Sequence, residues 1–239
     1  MRNALDRPKL ARLLGGWPAT PAEGPAPDVA ERLGRWLGAF DAVGLQAGHQ
    51  AIRSIHTAAA RKPGEARAPG ADALTGDLQR VRATLAHAIA QDPVAFAIPK
   101  LARNLSQQDA ASLPTVVDAG YAPYQQRHQK LQRQMEQLVA PLRDHVRQAV
   151  SQVSARLRQL AALDAVLEQV LAPREQAHLP TVSLLLQRRF DALRRTQDDD
   201  AAAADWRGQF RREWTQALLA ELDLHLEPVA GLIEALAED

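Results

Sequence analysis

The longest run of ordered apolar spacing lies in the second half of the chain. From Tyr124 onward, Leu131, Met135, Leu138, Leu142, Val146, Val150, Val153, Leu157 and Leu160 recur every three or four residues. Leu163, Leu167, Val170 and Leu171 extend the series. This is the period of one helix face. It predicts a single helix of about 49 residues, on the order of 75 Å long at 1.5 Å per residue. Pro141 should kink it, because proline removes a backbone donor. Pro173 and Pro180 should bracket a break. A further helix is predicted over 181–197, on Val182, Leu185, Leu186, Phe190 and Leu193. The stretch DDDAAAAD (198–205) reads as a charged turn that caps the last helix. That helix carries Trp206, Phe210, Trp214, Leu218, Leu222 and Leu226, and Pro228 should kink or divide it.

The first half is less regular. Leu10, Leu13 and Leu14 predict a short amphipathic helix near 7–15, ended by Gly15, Gly16 and Pro18. Residues 18–27 (PATPAEGPAP) read as a linker. Asp28 can cap the next helix. Val29, Leu33, Trp36, Leu37, Phe40, Val43 and Leu45 form its stripe, which Ile52 and Ile55 extend to about residue 60. Gly34, Gly38, Gly44 and Gly48 weaken that helix by roughly 1 kcal/mol each relative to Ala, and read as packing glycines. Residues 61–72 read as a loop. Leu78, Val81, Leu85 and Ile89 predict a helix over 73–91. Residues 92–120, with Pro93, Pro99 and Pro114, predict turns and one short helix. No alternating strand pattern competes. The fold class is therefore all-α: an antiparallel bundle of long amphipathic helices (121–239) with an N-terminal helical region (1–120), read as one structural unit overall.

Composition supports helix, since Ala and unbranched side chains lose little rotamer freedom there. Aromatics are only 4%. The net charge of +1 gives the whole chain no polyanion bias. Its distribution is uneven: residues 126–160 hold seven Lys or Arg and two acids, whereas 161–239 hold eight and fifteen. The basic stretch thus has an acidic counterpart downstream. There is no cysteine, which removes disulfides, thiolate metal sites and cysteine nucleophiles. No signal-peptide core and no apolar run of about 18 residues are present, so a cytoplasmic location without a transmembrane segment is the expectation.

The basic residues Arg127, Lys130, Arg133, Arg143, Arg147, Arg156 and Arg158 are the candidate polyanion contacts. Binding through them would be salt-dependent and blind to sequence. They are spread around the helix, and no aromatic residues follow Tyr124 for base stacking. A solvated helix face partly paired with the acidic third segment is the favoured reading, with nucleic acid as the alternative. His49 and His56 stand two turns apart, about 10 Å, too far to share a metal alone. Glu175 and His178 match one copy of the Glu-x-x-His motif, of which di-iron bundles need two. Glu221 and His225 form a lone pair, and Asp198, Asp199 and Asp200 complement a helix N-terminus. No nucleophile elbow, phosphate loop or dinucleotide fingerprint occurs. Neither catalysis nor a bound metal or cofactor is expected. Helix 7–15, with Arg7, Lys9 and Arg12 beside its leucines, fits a membrane surface or docking onto the bundle. Trp36, Trp206 and Trp214 are either core residues or the candidate anchors of a protein interface. The helical periodicity serves intramolecular packing, coiled-coil association and homo-oligomers equally.

The strings YAPYQQRHQKLQRQME (121–136), PLRDHVR (141–147), LAALDAVLEQVLAPRE (160–175), LLLQRRFDALRR (184–195) and LLAELDLHLEPVAGLIEAL (218–236) resemble an uncharacterised proteobacterial family, domain of unknown function 3348. The likeness covers most of the chain and is loosest in the N-terminal third, at RLL (12–14) and RWLGAFDAVGL (35–45). The resemblance implies no activity. It implies an association with a proton-channel protein of the TolQ/ExbB/MotA type and an OmpA-like wall-binding protein. The expectation is a cytoplasmic, non-enzymatic scaffold or adaptor, an accessory to an ion-driven envelope complex.

Overall fold

The structure, a computed structural model, describes residues 9–17, 39–55, 69–91, 120–199 and 205–239. The described residues form six helices and no strand: α1 (Lys9–Gly15), α2 (Ala39–Arg53), α3 (Ala71–Ala90), α4 (Ala122–Ser151), α5 (Ala155–Asp199) and α6 (Trp206–Ala237). The chain is all-α, as its periodicity predicts. It divides into two compact units. Unit 1 is Met1–Thr20, Arg82–Gln137 and Thr181–His225; unit 2 is Pro21–Val81, Leu138–Pro180 and Leu226–Asp239. Each unit draws on both the 1–120 and the 121–239 parts of the sequence.

The predicted 49-residue helix is two helices. The chain turns at Gln152–Ser154, where Gln152 N–H donates to Ala149 O and Val153 N–H to Val150 O. These three-residue bonds tighten and close α4. Ser154 then caps α5, its hydroxyl accepting from Leu157 N–H at 3.2 Å. Arg158 covers the open Ser151 carbonyl at 3.1 Å. The apolar spacing hid this turn because it keeps step on both sides of it. The expected break at 173–180 is also corrected. α5 runs unbroken from Ala155 to Asp199, so the predicted 181–197 helix is its second half. Interior proline costs a helix ~3 kcal/mol. Leu157 and Ala161 before the segment, and Leu186, Phe190 and Leu193 after it, are buried and hold both halves in place. Pro141 and Pro228 lie inside α4 and α6 and interrupt neither.

In unit 1, α4 and α6 run the same way: Tyr124 meets Trp214 and, further along both, His128 meets Glu221. α3 opposes α6, since Arg82 bonds Asp223 while Ile89 lies beside Arg211 and Thr215. Gly120, at φ 56°, supplies the left-handed residue ahead of α4. Six of the chain's ten aromatic residues gather here: Tyr121, Tyr124, Phe190, Trp206, Phe210 and Trp214. Tyr124–Phe210 (4.9 Å, 86°) and Phe190–Phe210 (5.0 Å, 84°) are edge-to-face, the geometry that ring quadrupoles favour. Tyr121 donates to Ser183 O at 3.1 Å. α1 docks through buried Leu10 and Leu14, with Trp17 following, and Lys9 reaches Asp223 at 3.0 Å. Asp205, in the charged turn, accepts from Gly208 N–H at 3.1 Å and caps α6 as the sequence predicts.

Unit 2 is built on the α4–α5 hairpin. Leu142, Val146 and Val150 of α4, Leu157 of α5, and Val229 and Leu232 of α6 are buried, as are Leu74 and Leu78 of α3. α2 is different. At residues 43–50, 52 and 53, where its burial is described, no residue is fully buried, and Val43, assigned to its apolar stripe, is 65% exposed. Two local devices attach it to α5. A Cβ at Gly48 would lie 2.6 Å from Val166 Cγ1, so only glycine permits this approach. The Gln159 amide bonds the carbonyls of Ile52 and Ile55, at 3.5 and 3.4 Å, near the end of α2. Gly48 is therefore a packing glycine. A Cβ at Gly44 would meet nothing within 4 Å among the described residues, while Gly34 and Gly38 lie outside them.

Candidate functional site

The basic residues of 126–160 fall on two helices, and the structure separates their roles. Arg127 lies buried in unit 1 and donates to Ala88 O at 2.6 Å, near the end of α3. Burial lowers its pKa from the ordinary arginine value. Arg143 and Arg147, one turn apart on α4, face Asp164 and Glu168, one turn apart on α5. Arg143 grips Asp164 with two bonds, at 2.9 and 2.6 Å, and Arg147 reaches Glu168 at 2.6 Å. Crossed contacts at 3.4 and 3.6 Å close a four-residue network. Its members are largely shielded from water, where bidentate Arg–carboxylate pairs hold their geometry best. Arg158 caps α4. Lys130, Arg133 and Arg156 are exposed. The seven therefore do not form one strip; Arg143 and Arg147 pair with Asp164 and Glu168 of the downstream segment, and Arg147 also with Asp144 of α4 itself at 2.6 Å.

Trp206 and Trp214 are corrected as interface anchors: both are buried in the unit 1 aromatic core, where ring packing outweighs display. Trp36 lies outside the described residues, as do His56, Asp200 and the side chains of Glu175, His178, Asp198 and Asp199.

Sequence reasoning missed a buried polar pair in unit 1. His128, fully enclosed, meets Glu221 Oε2 through Nε2 at 3.0 Å, and the Gln132 amide donates to Glu221 Oε1 at 2.8 Å. Burial pushes the Glu221 carboxyl up, but His128 and Gln132, with His225 nearby, outweigh it and hold it below the usual range. A signal existed: His128 and Gln132 sit one turn apart, in register with the apolar residues Tyr124 and Leu131. Nearby, burial of Asp223 is likewise outweighed by Arg82 and Lys9, which lower its pKa. The His128–Glu221 pair is enclosed by the packed helices, whereas Lys9 and Arg82 reach Asp223 at the surface. Among the described residues, no three His, Asp or Glu side chains converge as a metal site would require.

The accessible feature is a groove in unit 2. It has a volume of ≈ 350 Å³ and is lined by His49 and Ile52 of α2, by Arg156, Leu157, Gln159, Leu160 and Leu163 of α5, and by Ala235 of α6. Its wall is mostly apolar. Leu163 is 40% exposed, and Leu167, one turn further along α5, is 37% exposed. At 100° per residue, positions 156, 160, 163 and 167 share one narrow face of α5. Val166 and Gln159 lie to one side, toward α2; Asp164 and Glu168 lie to the other, toward α4. Arg156 is thus the one basic candidate placed on an open apolar surface among those traced above.

No helix among the described residues is long and apolar enough to cross a membrane. No curated protein and no solved structure matches the chain. A family model described as a protein of unknown function, DUF3348, matches residues 1–238, and the chain belongs to that family.

Proposed function

We propose that this protein is a non-enzymatic helical scaffold or adaptor that engages a protein partner through unit 2. One observation carries the reading: an apolar groove between α2 and α5 whose Leu163, with Leu167 one turn beyond it, is open to solvent. Exposed apolar surface of this kind marks interaction sites on otherwise well-packed proteins. Unit 1 encloses its aromatic residues and polar pair, and its exposed Leu184 and Leu224 line no described groove. The nucleic-acid reading draws less support, because Arg127, Arg143, Arg147 and Arg158 are engaged within the fold.

The test places a photo-crosslinking amino acid at Leu163 or Leu167 of the full chain in its native cells, with Arg207 of unit 1 as control. Position-specific adducts at 163 and 167 are expected. Equal labelling at all three positions, or none, overturns the reading. A cytoplasmic location and an ion-driven envelope complex, implied by the family resemblance, supply the first partner to look for among the adducts.

A further inference from the structure

We infer that the unit 2 groove receives an amphipathic helix with acidic flanks, presented by a partner protein. The inference rests on the scaffold reading and adds the chemistry of the partner. Length is the first argument. The lining runs along α5 from Arg156 to Leu163, about 10 Å at 1.5 Å per residue, and the exposed Leu167 extends the face to about 16 Å, the reach of three helical turns. A docked helix would supply apolar anchors at matching three-four intervals.

Charge is the second argument. The ionisable side chains lining the groove are Arg156 and His49, and Arg53 adds a cation in the last turn of α2. All three are exposed. Among the described residues no acid lines the groove itself; on α6, Glu234 and Glu238 are exposed near Ala235 at its far wall. The nearest acids on α5, Asp164 and Glu168, are turned to Arg143 and Arg147. The carbonyls of Ile52 and Ile55, which would otherwise give the α2 end a negative character, are bonded by Gln159. An apolar floor under a cationic rim selects leucines flanked by Glu or Asp and disfavours Lys or Arg, chiefly at the encounter and register stage.

Three labelled peptides of about 18 residues test this against the full chain by fluorescence anisotropy. One carries a leucine stripe flanked by Glu, one the same stripe flanked by Lys, and one the Glu flanks with Ser replacing Leu. The acidic leucine peptide is expected to bind at least roughly tenfold tighter than either other. Arg156→Glu should remove or invert the preference for Glu over Lys. Leu167→Asp, on a more peripheral turn, should abolish binding while circular dichroism shows the fold intact; Leu163→Asp provides the second variant. Equal affinity for the two leucine peptides, no binding, or binding indifferent to both Asp variants overturns the inference. Glu234 and Glu238, exposed at the end of α6, make a second copy of the chain a defined alternative. Sedimentation showing a dimer that Leu167→Asp disperses would overturn the inference in favour of that occupant. If adducts form at 163 and 167 in cells while the peptides show no acidic preference, the scaffold reading stands and only the partner chemistry fails.

Discussion

Replacing Glu221 by Ala would strip the buried pair of its acceptor. His128 would be left enclosed with nothing for Nε2 to bond, and the Gln132 amide would lose its partner at 2.8 Å. His128 Nδ1 already has no hydrogen-bond partner among the described residues. Leaving a buried donor without its acceptor costs about 1–3 kcal/mol, and here two donors lose theirs. Against a typical total stability of roughly 5–15 kcal/mol, that is a large share. Glu221→Gln keeps the shape and one acceptor oxygen, so its cost should be less than half as great. The pair also dictates a pH dependence. A carboxyl whose folded pKa lies below its unfolded value, near 4.3, binds more protons unfolded than folded. Its contribution is therefore complete above the unfolded pKa and is lost as pH falls through the folded one. The wild-type chain should lose this stability on acidification, and Glu221→Gln should show a shallower acid limb. Urea unfolding followed by tryptophan fluorescence at several pH values reads both effects, because Trp17, Trp206 and Trp214 all belong to unit 1. A loss under about 1 kcal/mol for Glu221→Ala, or an unchanged acid limb for Glu221→Gln, would refute the reasoning.

Three further outcomes follow from the same packing. Asp164→Ala should destabilise by about 1–3 kcal/mol, since it removes the two bonds that anchor Arg143, whereas Arg147 keeps Glu168 and Asp144, and Asp164→Asn should recover part of that; thermal melts by circular dichroism measure it. Gly48→Ala should loosen α2 despite its better helix propensity, because overpacking costs about 1–3 kcal/mol against a gain of about 1; faster amide exchange in α2, restored by Val166→Ala, is the expected reading. In a spectrophotometric titration, one of the two tyrosines should ionise only near pH 12, because burial pushes Tyr121 up to about 12 against the opposing hydrogen bond to Ser183; Tyr121→Phe should remove that late step.

What the sequence by itself determined was helix, faces and caps. The three-four stripes of α4 and α6 are local consequences of the helical period, and Leu131, Val146, Phe210, Trp214 and Leu222 are buried as that period requires. The Asp205 cap needed only a short polar side chain before a helical run. Ser154, an equally local signal, was legible in SQVSAR but was outweighed by unbroken apolar spacing across the turn. Pro173 and Pro180 point to a break by their local cost, yet α5 continues through them because buried residues on both sides hold it. Only tertiary structure decided which side chains meet. Helical periodicity could not separate Arg127, which is enclosed, from Arg143 and Arg147, which are paired, or from Arg156, which is open. Nor could it bring His128 to Glu221, ninety-three residues away. A helix face records that a position is covered or exposed; the identity of the covering residue depends on how distant helices align, and that alignment is a property of the packed chain.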